Sequence, residues 1–193
     1  MKECLLCILF SFFIVCMDDH AIIRVGDTMT KLLVISDVHR DRYKLERILN
    51  KYKDKVDHII SLGDSECSTE YLQKRNIIAV KGNYPFDGGE GYHKILQIED
   101  VKIFITHGHK FGVKWGSLSR LHEYASTEDF DLVMYGHTHE ASLEREEGIT
   151  YLNPGSVRQS RGKEGPSFSI VTIKNKNIDV QFFDAERLEE ITL

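Results

Sequence analysis

The stretch KLLVISDVHRDRYKLERILNKYKD, residues 31–54, opens with a short apolar run that ends at Asp37. Behind it Tyr43, Leu45, Ile48, Leu49 and Tyr52 recur at helical spacing, so a strand feeds a helix. DHIISLGD (57–64) repeats the arrangement, with a strand ending at Gly63 and Asp64 and a helix predicted over 66–74. NIIAVKGN (76–83) is a third strand that again ends in glycine and a polar side chain. Strands alternating with helices in this order predict an α/β fold built on a parallel sheet.

The second half changes style. YHKILQIED and VKIFITHGH read as a hairpin turning at Glu99 and Asp100, GVKWGSLSRLHEYAS as a helix, and FDLVMYGHTH as one more strand. ASLEREEGITYLNPGS, with a turn near Gly148, and SFSIVTIKNKNIDVQFFDA, with a turn near Asn175 to Asn177, read as antiparallel pairs. No repeat, low-complexity tract or Pro-rich linker interrupts them, which predicts one mixed domain over 29–193.

With 193 residues, 41% hydrophobic and 28% charged, the chain can bury one full core. Its formal net charge of -5 offers no basic field for a nucleic-acid backbone, which argues against a duplex partner. Three of four cysteines, Cys4, Cys7 and Cys16, crowd the first segment. Cys67 cannot staple the remainder, so a reducing, cytoplasmic setting is expected.

Residues 1–28 read as an extension outside the core. The apolar run Leu5 to Met17 is short for a membrane span of about 20 residues, so no stable anchoring is expected. It also lacks the flanking charge and small-residue cleavage pattern of a signal peptide. Met29 is an alternative translation start, which N-terminal mass determination of native protein would test; the acidic balance survives that choice.

The strand ends carry the chemistry. SDVH brings Asp37 and His39, LGDS brings Asp64, KGN brings Asn83, THGH brings His107, and YGHTH brings His137 and His139. Carboxyl ends of neighbouring strands in an open α/β sheet lie along one edge, where ligands bind. Singly, each side chain has an ordinary explanation as a helix cap or turn residue. Jointly, two carboxylates, one amide oxygen and four imidazoles form an inventory for two divalent ions, and mixed N and O donors suit Mn, Ni, Zn, Fe or Co.

The ordered set DxH, GDx, GN, HGH and GHTH, with the tail YLNPGS, resembles the calcineurin-like metallophosphoesterase superfamily and in particular its YfcE-type small phosphodiesterases. The likeness runs from Lys31 nearly to the C-terminus. It implies a four-layer αββα sandwich of two mixed β-sheets flanked by helices. It also implies two divalent transition-metal ions, manganese first among them. Carried over by position, Asp37, His39 and His139 hold one ion, Asn83, His107 and His137 the other, and Asp64 bridges them. The implied activity is hydrolysis of a small, nucleotide-derived phosphodiester by a hydroxide between the ions. His109 is the candidate for touching substrate or assisting the leaving group.

The chain departs from the family after the asparagine. Where members commonly place His, or Cys followed by Asp, this chain reads GNYPFD, with Tyr84 at that position and Asp87 set further on. A phenol is a weaker acid than imidazolium, which predicts slow turnover of poor leaving groups. Arg158 and Arg161 read as solvated residues, Arg161 being the better family match for a phosphate contact, while His58, His93 and His122 read as structural. Phosphomonoesterase activity is one alternative. A weakly active binding scaffold like the retromer's metallophosphoesterase-like subunit is another, although all seven ligand positions are filled by competent types. Homo-oligomerisation is compatible with everything read so far.

Overall fold

The computed structural model describes residues 29–113 and 117–193, together with a short antiparallel pair, β1 (Ile14–Val15) and β2 (Ile22–Ile23). The expectations for the rest of the first 28 residues, and for residues 114–116 of the expected helix, lie outside the described residues.

The three predicted strands are β3 (Thr30–Ile35), β4 (His58–Ser61) and β5 (Ile77–Ala79), which pair in parallel. Next come β6 (His93–Ile98), β7 (Val101–Thr106), β8 (Leu132–Met134), β9 (Ala141–Glu146) and β10 (Ile149–Pro154). These form a five-stranded sheet ordered β6-β7-β8-β10-β9. Finally β11 (Ser167–Lys174), β12 (Asn177–Asp184) and β13 (Glu190–Ile191) return to the first sheet, whose order is β13-β12-β11-β3-β4-β5. β11 lies antiparallel to β3, while β7, β8 and β10 run parallel, so both sheets are mixed.

Alternation along the strands divides the core into layers. Leu32 and Val34 of β3, with Ile60 of β4, face Ile103, Ile105, Leu132, Met134 and Leu152 of the other sheet. Leu33 and Ile35 point the opposite way, under Leu45, Ile48 and Leu49 of α1 (Arg42–Tyr52) and Leu72 of α2 (Thr69–Gln73). On the outer face of the second sheet, Phe104, Val133 and Tyr151 pack with Leu121 and Ala125 of α3 (Ser119–Ser126). The result is the expected four-layer αββα sandwich.

Two helices start later than their periodicity suggests. α2 begins at Thr69, where the Ser68 side chain caps the Tyr71 N–H, because Glu66 adopts a left-handed φ of 53° and gives its N–H to Asp87. α3 begins at Ser119, whose N–H is taken by the Ser117 hydroxyl in a local turn that competes with helix.

Candidate metal centre

All five polar strand ends converge where the carboxyl ends of the two sheets meet. Five of the side chains expected to hold metal stand on residues with positive φ: Asp37 (52°), His39 (44°), Asp64 (48°), His137 (72°) and His139 (63°). Such a conformation costs a non-glycine residue about 1 kcal/mol or more, and strain of this kind collects at functional sites. It also explains the HxH spacing: both imidazoles turn inward on a tight loop rather than along a strand.

The motif glycines make room for the carboxylates. A Cβ on Gly82 would lie 1.9 Å from Asp64 Oδ1, and one on Gly136 would lie 2.0 Å from Ser36 Oγ and 3.0 Å from Asp37 Oδ2. The glycine before Asn83 and the glycine before His137 therefore let backbone close on the two acids.

Asp37 is fully buried. Its Oδ2 accepts from the Ser36 hydroxyl (2.7 Å) and the His137 N–H (3.0 Å). Its Oδ1 has no hydrogen-bond partner, yet it faces the Nε2 atoms of His139 (3.1 Å), His39 (3.7 Å) and His107 (3.9 Å). The other ring nitrogens settle what those Nε2 atoms carry. His39 Nδ1 donates to Glu66 Oε1 (3.0 Å), His107 Nδ1 to the Leu62 carbonyl (2.8 Å) and His139 Nδ1 to the Gln159 carbonyl (2.9 Å). In each neutral ring Nε2 thus presents a lone pair.

These lone pairs point at one another. His39 Nε2 and His139 Nε2 are 3.2 Å apart, and His107 Nε2 lies 3.2 Å from Asn83 Oδ1, 3.2 Å from His137 Nδ1 and 3.5 Å from Asp64 Oδ2. Acceptors at such distances repel unless a cation or a proton sits among them. The separations suit donors around one ion with bonds of about 2.1 Å. Two donor groups result, Asp37 with His39 and His139, and Asp37 with Asp64 and His107. Asp37 is common to both, whereas Asp64, the expected bridge, stands in the second only.

Electrostatics agree with a cation site. Burial opposes ionisation of Asp64, but His107 and the Tyr84 N–H outweigh it and hold the carboxyl at about 2. Burial likewise opposes ionisation of Asp37, and His139, His107 and Ser36 together hold its carboxyl below the ordinary value. Burial favours neutral His107, yet the adjoining Asp64 and Asp37 raise its pKa. His137 is pushed down to about 4 by burial and by the charge on His107, which leaves its ring neutral at pH 7.

His109 opens a short 3-10 turn (His109–Phe111), its ring 5.4 Å from that of His107 and 6.1 Å from that of His137. Its Nδ1 is buried without a partner, and burial with the nearby His107 charge lowers its pKa. Of the two arginines, Arg158 donates to the His39 carbonyl (2.9 Å) and the backbone N–H of Arg161 to the His139 carbonyl (3.0 Å). Both side chains are exposed. His122 pairs with Glu146 and packs on Tyr151, His93 packs on Phe104, and His58 is exposed, all away from the centre.

Sequence reasoning missed Glu66 and Asp87. Glu66 lies at the start of the expected helix, and only the left-handed backbone there turns it onto His39. Asp87 is buried and accepts from the Ser65 hydroxyl (2.6 Å), the Glu66 N–H (2.9 Å) and the Gly82 N–H (2.9 Å), tying the GD loop to the GN loop. Its place after Asn83 was the one available signal.

Residues 30–176 match the calcineurin-like phosphoesterase superfamily domain. The chain belongs to that superfamily, a family of hydrolases that bind divalent metals. It is 34% identical over 153 residues to the probable metallophosphoesterase YsnB of Bacillus subtilis, covering 79% of this chain and 90% of that protein. The structure of a conserved uncharacterised protein from Streptococcus pneumoniae, described as a predicted phosphoesterase, superimposes with a TM-score of 0.77 at 31% identity, covering 85% of this chain and 94% of that one. The Escherichia coli phosphoesterase YfcE shares the fold, with a TM-score of 0.63 at 23% identity over 84% of this chain and 97% of its own.

Proposed function

We propose that residues 29–193 form a dinuclear-metal-dependent phosphodiesterase acting on small phosphodiesters. The observation that carries this reading is the buried, unpartnered Asp37 Oδ1 among three imidazole lone pairs. Asp37, His39 and His139 would hold one ion, and Asn83, His107 and His137 the other, with Asp64 as the expected shared ligand. Bound there, two divalent ions, manganese first, would supply an activated water and neutralise phosphoryl oxygens. Asp37 and Asp64 remain ionised at pH 7, His137 remains neutral, and His109, exposed enough to reach the cleft, contacts the substrate or its leaving group. Tyr84 offers a phenol where an imidazole is common, so good leaving groups are favoured.

No helix among the described residues is long and apolar enough to cross a membrane. Cysteine usage supports a cytoplasmic setting.

The test uses metal-stripped protein refilled with Mn²⁺, Ni²⁺ or Zn²⁺ and assayed on bis(p-nitrophenyl) phosphate and on the monoester. Diester turnover that requires metal, and is lost in Asp64→Asn and His137→Ala, supports the reading. Monoester turnover alone makes the protein a phosphomonoesterase. Metal binding with neither turnover makes it a scaffold.

A further inference from the structure

Phe86 is, at 82%, the most exposed large apolar side chain among the described residues, and it stands three residues beyond Asn83. Exposure here does not come from a loose loop. The Asp87 N–H closes a turn onto the Tyr84 carbonyl (3.2 Å), and the Asp87 carboxylate, buried, holds the Ser65, Glu66 and Gly82 donors. At the other end the Tyr84 N–H is fixed on Asp64 Oδ1 (2.9 Å). The aromatic loop is thus pinned at both ends to residues of the metal centre.

Its side chains also contact one another. The Phe86 ring meets the Tyr84 ring nearly edge-on, with centroids 6.1 Å apart and planes at 69°. The Arg40 guanidinium lies 5.2 Å from the Tyr84 centroid and donates to its hydroxyl, while its Nε is held by Glu66 Oε2 (2.7 Å). Phe86 itself contributes little to the fold, since most of its surface is in water. A solvent-facing aromatic wall on a backbone-anchored loop, with a cation behind it, is suited to a planar ring, because the loop gives up little freedom when a ligand stacks on it.

We infer that Phe86, supported by Tyr84 and Arg40, stacks on an aromatic base carried by the phosphoester, so that the substrate is a nucleotide-type ester rather than an aliphatic one. The inference rests on the phosphoesterase reading above and names its substrate class. The reach is adequate: three residues of chain span at most about 11 Å, comparable with the base-to-phosphate distance in a nucleotide.

The test is calorimetric binding of adenosine monophosphate and of ribose 5-phosphate to full-length Mn²⁺-loaded protein. Comparing the two isolates the base, because both carry the same sugar phosphate. Wild type is expected to bind the nucleotide about tenfold more tightly, within the range that one base stacked on one aromatic ring supplies. Phe86→Ala should bring the two affinities together without changing that for ribose 5-phosphate, and Phe86→Trp should restore the difference. Thermal melting should be unaltered in both variants. Equal affinities in wild type, or a difference that survives Phe86→Ala, would overturn the stacking wall while leaving phosphoesterase activity standing. If neither compound binds and no ester is hydrolysed, the phosphoesterase reading itself falls, and the inference with it.

Discussion

The strands and the loops that leave them obey opposite rules. Along β3, β7 and β8 the buried apolar residues follow period-two alternation into one core layer or another, and backbone, side chain and burial agree. Within a few residues of the strand ends, carboxylates are buried, imidazole lone pairs face one another and five candidate ligand residues take left-handed backbone. The sandwich tolerates these local conflicts because its core is continuous beneath them. Stability and chemistry should therefore be separable by substitution.

The sharpest break is on the loop side. Asp64→Asn in Mn²⁺-loaded protein should lower diester turnover by about 10³-fold or more, given that charge stabilisation by the ions contributes several kcal/mol to the transition state. Mass spectrometry of the native state should show fewer than two ions per chain. Asp37→Asn is the companion variant: because Asp37 Oδ1 faces both donor groups, it should remove metal at least as completely. Full occupancy with Asp64→Asn would make Asp37 the shared ligand and displace Asp64 from that role.

The strand side should show the converse. Phe104 is fully buried on the outer face of the second sheet, with the rings of Phe111, Tyr124 and Phe130 5.1–5.8 Å away. Phe104→Ala should cost about 3–5 kcal/mol in chemical denaturation and leave the metal affinity of the folded fraction unchanged. A parallel loss of metal affinity would show that the layer under the site, and not the loops alone, sets its geometry.

The same division explains what was legible in the sequence. Apolar runs and helical spacing reported β3, α1, β4, β5 and the later hairpins, because burial on one face leaves a periodic trace. The convergence of the seven candidate ligands was legible because each follows such a run and together they match ordered family motifs. Glu66 was not, since its role depends on a left-handed residue and on Asp87 reaching back across the GN loop, and neither leaves a period. The late start of α3 was hidden for a related reason: Ser117 diverts a backbone donor, which apolar spacing does not register.

Glu66 offers a smaller and more discriminating break. One carboxylate oxygen fixes the His39 tautomer and the other holds Arg40, so Glu66→Gln keeps the shape but weakens the pull on His39. Supporting carboxylates of this kind typically contribute 10–100-fold to metal affinity. The variant should lose affinity for one ion of the pair in a competitive chelator titration, with a thermal midpoint near that of wild-type metal-free protein. Loss at both sites would mean that Glu66 acts through the whole Asp87-braced loop rather than through His39.

The finest test is the pH dependence of metal binding, which turns on His107. Its folded pKa is raised by Asp64 and Asp37 above the ordinary histidine value of 6.5. A raised histidine pKa stabilises the metal-free fold fully below the unfolded pKa, and that contribution is lost as pH rises through the folded pKa. Metal needs the same Nε2 lone pair, so ion and proton compete, and binding releases the proton. The gain in thermal midpoint on adding Mn²⁺ should therefore grow between pH 6 and pH 8, and apparent affinity should fall by up to about tenfold per unit on the acid side. His137, already neutral down to about 4, adds nothing in that window. A metal-induced shift independent of pH would show that no proton occupies the loop-side acceptor cluster. The repulsion among its lone pairs would then have to be relieved by movement of the loops themselves, and the contrast between fixed strands and fixed loops would fail on the loop side.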